Sequence, residues 1–125
     1  MTAGPDTPAA LRRLTKRAQF LNTARGTRAG RKGFTLQAIA ADDQTPGIGL
    51  TVTNKTGNSP ERNRIRRRLR AAVRACGASF QSQHDYVLVG RREALSLPFS
   101  EVVSDLASAI SKVHAKPRDP GLKRQ

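Results

Sequence analysis

The chain is 125 residues long, which suits one domain with a modest core, and it carries 23 Lys and Arg against nine Asp and Glu. The resulting formal charge of +14 and pI near 11.6 exceed what solubility requires and point to a polyanionic partner. A single Cys excludes a disulfide framework and a cysteine-ligated zinc site, and no apolar run approaches the roughly 20 residues of a membrane span or resembles a secretory signal. A cytoplasmic, reducing location is expected.

In chain order, the first helical signal lies in AALRRLTKRAQFLNTARG. Either Thr7 caps it with Pro8 following, or Thr15 caps a shorter helix, and Gly26 stops it. Leu14, Ala18 and Leu21 share one face at spacings of four and three, which leaves Phe20 on another, near Lys16, Arg17 and Thr23. GFTLQAIA then alternates, with Phe34, Leu36, Ala38 and Ala40 on one side and Thr35, Gln37 and Ile39 on the other. After the turn ADDQTPG, IGLTVT alternates again through Ile48, Leu50 and Val52, and the two runs read as an antiparallel pair.

The best-defined element is ERNRIRRRLRAAVRAC, with Ser59 as N-cap, Pro60 in the first turn, Glu61 against the positive N-terminus and Gly77 at the end. DYVLVG is apolar without alternation, which predicts a strand covered on both faces. A final helix from about Phe99 carries the stripe Phe99, Val102, Val103, Leu106, Ile110 and Val113. The predicted order is α-β-β-β-α-β-α, an α+β sandwich of helices on a small mixed sheet.

The charge is uneven. Residues 7–84 hold sixteen basic residues against Asp42, Asp43 and Glu61, so the partner is expected on the first two-thirds of the chain. Residues 1–10 and 116–125 are rich in Pro, Gly and charge and read as disordered tails around one domain at 11–115.

On a helical wheel, Ile65, Leu69, Ala72, Val73 and Cys76 form the buried stripe of the basic helix. Asn63, Arg67, Arg70 and Arg74 lie opposite, flanked by Arg66 on one side and by Arg64 and Arg68 on the other. Arg62 falls on the buried side, so it reaches off the helix start or bonds the TGNSP loop. Seven arginines in thirteen residues, without acidic partners at i,i+4, make a phosphate surface rather than an ordinary solvated face. The planar guanidinium, which grips phosphate bidentately, suits that role.

These residues resemble the protein subunit of bacterial ribonuclease P. The family's strand, Gly-Asn loop and Arg-Asn-Arg helix are matched by GLTVTNKTGNSPERNRIRRRLRAAVR, residues 49–74. LTKRAQF is similar to its first helix, DYVLVGRREAL to its last strand and LPFSEVVSDL to its final helix, so the resemblance spans about residues 11–115. It implies a two-layer sandwich like those of ribosomal proteins and elongation-factor domains, with a left-handed strand–helix–strand crossover through the arginine helix. It further implies an auxiliary subunit of an endoribonuclease whose catalytic centre and Mg2+ belong to a partner RNA. The protein would bind that RNA and the 5′ leader of precursor tRNA.

Carried over by position, Lys55, Arg62, Asn63, Arg64, Arg66, Arg67 and Arg70 match the RNA-binding motif; Arg68 and Arg74 extend it. Phe20 matches an aromatic lining a leader cleft beside Lys16 and Arg17, and Phe34 an aromatic on the first strand, although a strand Phe more often belongs to a core. Asn54 replaces a usual lysine, Ala24 a frequent second helix aromatic, and Gln37 a strand aromatic, which makes the cleft less aromatic. His84 and His114 stand alone, Asp42–Asp43 reads as a solvated turn, and Cys76 as a small apolar filler. No nuclease site of the protein's own is readable, and no metal is expected on it. The alternative is a non-catalytic RNA-binding protein of ribosomal type; an autonomous nuclease is a third reading.

Overall fold

A computed structural model of the chain describes residues 11–115; the expected tails at 1–10 and 116–125, and the longer first helix from Thr7, reach outside them. Strands β1 (Arg12–Arg13), β2 (Thr27–Gly30), β3 (Phe34–Ala40), β4 (Gly47–Thr51) and β5 (His84–Gly90) form one mixed sheet in the order β1-β4-β5-β3-β2. Helices α1 (Arg17–Thr23), α2 (Ser59–Ala75) and α3 (Phe99–Ala115) complete an α+β domain. The order matches the prediction, with a two-residue strand added before α1. Among the described residues no helix is long and apolar enough to cross a membrane.

The runs at 34–40 and 48–52 do not pair, contrary to expectation. β5 lies between them, antiparallel to β3 and parallel to β4, and α2 makes the crossover from β4 to β5. The reason is chemical: residues 85–88 are buried without alternation, so this run tolerates the centre of the sheet, where both faces are covered.

Strand register sorts the side chains onto two faces. Phe34, Leu36 and Ala38 share a face with Tyr86 and Leu88, and α2 and α3 close it with Ile65, Leu69, Ala72, Val102, Leu106 and Ile110. α2 sits so close that a Cβ on Gly90 would lie 2.9 Å from Ile65 Cγ2 and 3.0 Å from Val52 Cγ2. The predicted stripe of α2 is the buried one, and that of α3 holds except at Phe99, which starts the helix beyond the core and is 42% exposed.

The opposite face carries Gly49, Val87, Gln37 and Arg28 in one row and Thr51, Val89, Thr35 and Gly30 in the next. α1 crosses this face. The chain takes the shorter start, with Lys16 rather than Thr15 at the N-cap and Gln19 Oε1 accepting from the Thr15 and Lys16 N–H groups at 3.0 and 2.9 Å. The expected apolar face of α1 is not the buried one. Leu14 precedes the helix and extends β1 by donating to Ile48 O at 2.9 Å, whereas Ala18 and Leu21 are exposed. Thr23 and Phe20 face the sheet instead. Thr23 can be buried because its hydroxyl donates to Gln19 O at 2.7 Å, and Phe20 because Gly49 leaves room beneath its ring.

Candidate nucleic-acid interface

The arginine helix begins at a reciprocal cap. Asn58, not Ser59, is the N-cap: its Oδ1 accepts from Glu61 N at 3.0 Å while Glu61 Oε1 accepts from Asn58 N at 2.9 Å. Asn58 wins because Pro60 and Ser59 already lie inside the helix. Glu61 also pairs with Arg92 at 2.9 Å, and that bond, then the Asn58 N–H, holds its carboxyl below the ordinary range. Arg92 reaches on to Thr56 O at 3.2 Å.

Arg62 bonds the loop: Nη1 donates to Gly57 O at 2.9 Å and Nη2 to Ser59 Oγ at 3.1 Å. The loop at 54–58 is therefore anchored by two arginines, and it presents Lys55 to solvent on a short 3-10 turn.

Arg64, Arg67, Arg70 and Arg74 are exposed, and among the described residues none of them has an acidic partner. Arg66 is half-buried and donates to Asn63 Oδ1 at 3.0 Å, which fixes both side chains on the outer surface. Arg68 departs from the expected surface. It borders the buried stripe on the side of the 92–97 turn, and its Nη2 donates to Leu97 O while its Nε is buried without a partner. Arg62 and Arg68 are thus committed to the fold, and the outward cations are Arg64, Arg66, Arg67, Arg70 and Arg74.

Between α2 and α1 lies a cavity of about 440 Å³, lined by Leu14, Phe20, Ile48 and Leu50 on one side and by Arg66, Arg70 and Arg74 on the other. It opens because β1 covers the β4 edge only as far as Arg13 opposite Ile48. Arg66 and Arg70 also border a surface depression with Pro60, Asn63 and Arg67. The outer arginine face and the Phe20 cavity are therefore one continuous surface.

Phe20 is half-buried with its ring on Gly49, where a Cβ would lie 2.6 Å from Phe20 Cε2. Lys16 and Arg17 are exposed at the start of α1 and stand outside the cavity lining. Phe34 is not in this region. Its register opposite Gly90 turns it to the α2–α3 side, where it is fully buried in the core.

Sequence reading missed one cluster. His84 and His114 are not isolated: their rings lie 4.7 Å apart, and His114 Nε2 is 2.6 Å from Tyr86 Oη, which accepts from Gln81 N at 2.9 Å. Burial, then His84, pushes His114 below its ordinary pKa. Only the pairing of α3's last turn with the start of β5 brings these residues together. Cys76 is buried, burial pushes its thiol pKa up, and it points to Val103 O at 3.6 Å, as suits a core filler. Asp43 is engaged by Thr45 and by Arg12 at 3.2 Å, while Arg12 Nη2 reaches Asp85 at 2.6 Å.

The family model described as Ribonuclease P matches residues 9–114. The chain belongs to the ribonuclease P protein family. The ribonuclease P protein component of Gluconacetobacter diazotrophicus is 45% identical over 103 residues, covering 80% of this chain and 89% of that protein. That of Paramagnetospirillum magneticum is 44% identical over 114 residues, covering 86% of each. The RNase P protein of Staphylococcus aureus has the same fold at a TM-score of 0.67 and 23% identity, over 81% of this chain and 95% of that one. The RNase P protein from Thermotoga maritima matches at a TM-score of 0.67 and 22% identity, over 87% and 98%. In this ribonuclease P family member the arginine face and the Phe20 cavity meet at Arg66 and Arg70.

Proposed function

We propose that this chain is the protein component of a cytoplasmic ribonuclease P ribonucleoprotein, assisting endonucleolytic removal of the 5′ leader from precursor tRNA. The observation that supports it best is the continuity of the arginine face with the Phe20 cavity. Arg64, Arg67, Arg70 and Arg74, with Lys55 on the anchored loop, supply phosphate contacts for the structured partner RNA. Phe20, in the cavity that Arg66, Arg70 and Arg74 also line, supplies a face for a leader base, where stacking contributes about 1–3 kcal/mol. Lys16 and Arg17 hold the leader backbone.

Bond cleavage is assigned to the partner RNA, where bound magnesium ions would supply the activated nucleophile and neutralise the leaving oxygen. The described residues bring no three His, Cys, Asp or Glu side chains together, and the Asp43 carboxylate is already occupied by Thr45 and Arg12. The protein's own part is to lower repulsion between RNA phosphates, and so the magnesium requirement, and to hold the leader, which lowers the substrate's dissociation constant.

The test is to add the purified protein to a bacterial ribonuclease P RNA at low magnesium. Stimulated cleavage at the mature 5′ end is expected. RNA binding without stimulation would instead indicate a binder of ribosomal type, and cleavage by the protein alone an autonomous nuclease.

A further inference from the structure

We infer that the Arg92–Glu61 ion pair is a positioning element for the partner RNA: it holds the loop at 54–58 so that Lys55 meets a phosphate already in place. This rests on the reading of Lys55 as a phosphate contact. It adds to that reading a residue thirty-one positions beyond Glu61, outside the basic helix.

The loop leaves β4 and must turn before α2 can start. Residues 53–56 close a single 3-10 turn, in which Thr56 N–H donates to Thr53 O at 3.0 Å and the two threonine hydroxyls lie 3.4 Å apart. One exposed turn with one backbone bond opens readily by itself. Lys55 sits in its middle, exposed, and among the described residues it has no acidic partner.

The rest of the loop's order comes from outside it. Arg92, on the turn after β5, donates through Nη1 to Thr56 O at 3.2 Å and to Glu61 Oε1 at 3.1 Å, and through Nη2 to Glu61 Oε2 at 2.9 Å. One planar fork thus spans both carboxylate oxygens and the loop carbonyl. Glu61 is fixed from the other side by the Asn58 N–H at 2.9 Å. Gly57 lies directly on the pair, since a Cβ there would be 2.5 Å from Glu61 Oε1 and 3.0 Å from Arg92 Nη1. Arg62 takes the next carbonyl, Gly57 O, at 2.9 Å. Two successive loop carbonyls are held by two guanidiniums, one from α2 and one from the end of β5.

Stability is a poor reason for this pair. Its side chains are 60% and 31% exposed, and surface ion pairs contribute little to folding. Nor does it add net attraction for RNA, because its two charges cancel. What it removes is freedom of the loop. A lysine on a loose loop has to be ordered as it binds, and one on a held loop does not. Ordering one long side chain at an interface weakens binding about 2- to 13-fold.

The experiment measures binding of the full chain to ribonuclease P RNA for wild type, Lys55→Gln, the charge-balanced variant Glu61→Gln/Arg92→Met, and the three changes together. Gln at 61 keeps the helix cap, where it serves as Glu does. Met at 92 keeps an apolar stem without the fork, and the net charge is that of wild type. Lys55→Gln should reduce the salt slope by about 0.9. The charge-balanced variant should bind about 2- to 13-fold more weakly than wild type. Because both act through Lys55, the triple variant should bind as Lys55→Gln does. In the free protein, hydrogen exchange of the charge-balanced variant should quicken at the Thr56 amide and stay unchanged at the Leu69 amide in the middle of α2.

Wild-type affinity of the charge-balanced variant, or losses that add in the triple variant, overturns the proposal alone. So does a loss of protection at Leu69 equal to that at Thr56, which would make the pair a support of the whole fold. Lys55→Gln with wild-type affinity and slope overturns the reading of Lys55 and the proposal together.

Discussion

Gly49 seats Phe20, so a single added methyl group there probes the site without removing any group that touches RNA. A Cβ on Gly49 would lie 2.6 Å from Phe20 Cε2, 2.8 Å from Cζ and 3.2 Å from Leu14 Cβ. Carbon atoms pack best at about 3.5–4.0 Å, so the ring must retreat by roughly 1 Å. Leu14, only 4% exposed, cannot yield, whereas half-buried Phe20 can swing outward. Overpacking of this kind costs about 1–3 kcal/mol, and the open side of the ring puts Gly49→Ala near the lower end, a fall in Tm of about 4–8 °C. The displaced ring also forfeits its stacking, about 1–3 kcal/mol, so leader-bearing tRNA should bind about 5- to 150-fold more weakly. Mature tRNA should bind as to wild type. Equilibrium binding of both substrates to the reconstituted enzyme, beside thermal unfolding, measures this. Because Gly49→Ala and Phe20→Ala act through one ring, their combination should cost little more than either alone. Additive losses, or a destabilised Gly49→Ala that binds the leader normally, would refute the assignment of Phe20.

Changing Arg67 and Arg70 together to Ala should weaken binding to structured RNA and reduce its salt slope by about 1.8; an unchanged slope excludes that face as the phosphate surface. Gly26→Ala should destabilise the domain by about 3 kcal/mol in urea titration, because a Cβ there would lie 2.0 Å from the Ala38 carbonyl oxygen, a backbone atom with no freedom to move; wild-type stability would refute the close approach of this turn to β3. His114, pushed below its ordinary value of 6.5 by burial and then by His84, is held neutral in the fold, so the unfolded chain takes up its proton first as pH falls. Stability should be whole above that value and decline below it, and His114→Gln should flatten that decline; an equal decline in the variant would show that other groups set it.

Where local pattern decided structure, the sequence was a sufficient guide. The wheel of α2 separates Ile65, Leu69, Ala72 and Val73 from Arg67, Arg70 and Arg74, because a helix with one buried stripe has no other way to face a sheet. The strand at 84–90 was legible from its unbroken apolar run, yet its position between β3 and β4 was not, since pairing depends on chain reversals that periodicity does not encode. α1 misled for a related reason. In seven residues the partner surface outweighs the wheel, and a glycine on a distant strand turned Phe20 rather than Leu21 inward. Arg68 and Phe34 show the same limit within the candidate site. Each has the residue type of an RNA contact, but a neighbouring turn and the strand register direct it into the protein. The His84–Tyr86–His114 cluster joins residues thirty apart, and nothing in their spacing announces it.

The place of β5 has a consequence for the order in which the protein can come into being. β3 and β4 share no ladder; each pairs with β5, which is the last strand among the described residues. Until residue 90 has left the ribosome, the nascent chain holds a β2–β3 hairpin and a two-residue contact between β1 and β4, and isolated pairs of that kind are marginal in water. α2 has no sheet to dock on before then, because its Ile65 and Leu69 pack against Gly90. The sixteen cations of residues 7–84 therefore emerge as an unfolded polycation and acquire their arrangement only once synthesis has passed them. The segment richest in charge is the one that waits longest for a structure around it.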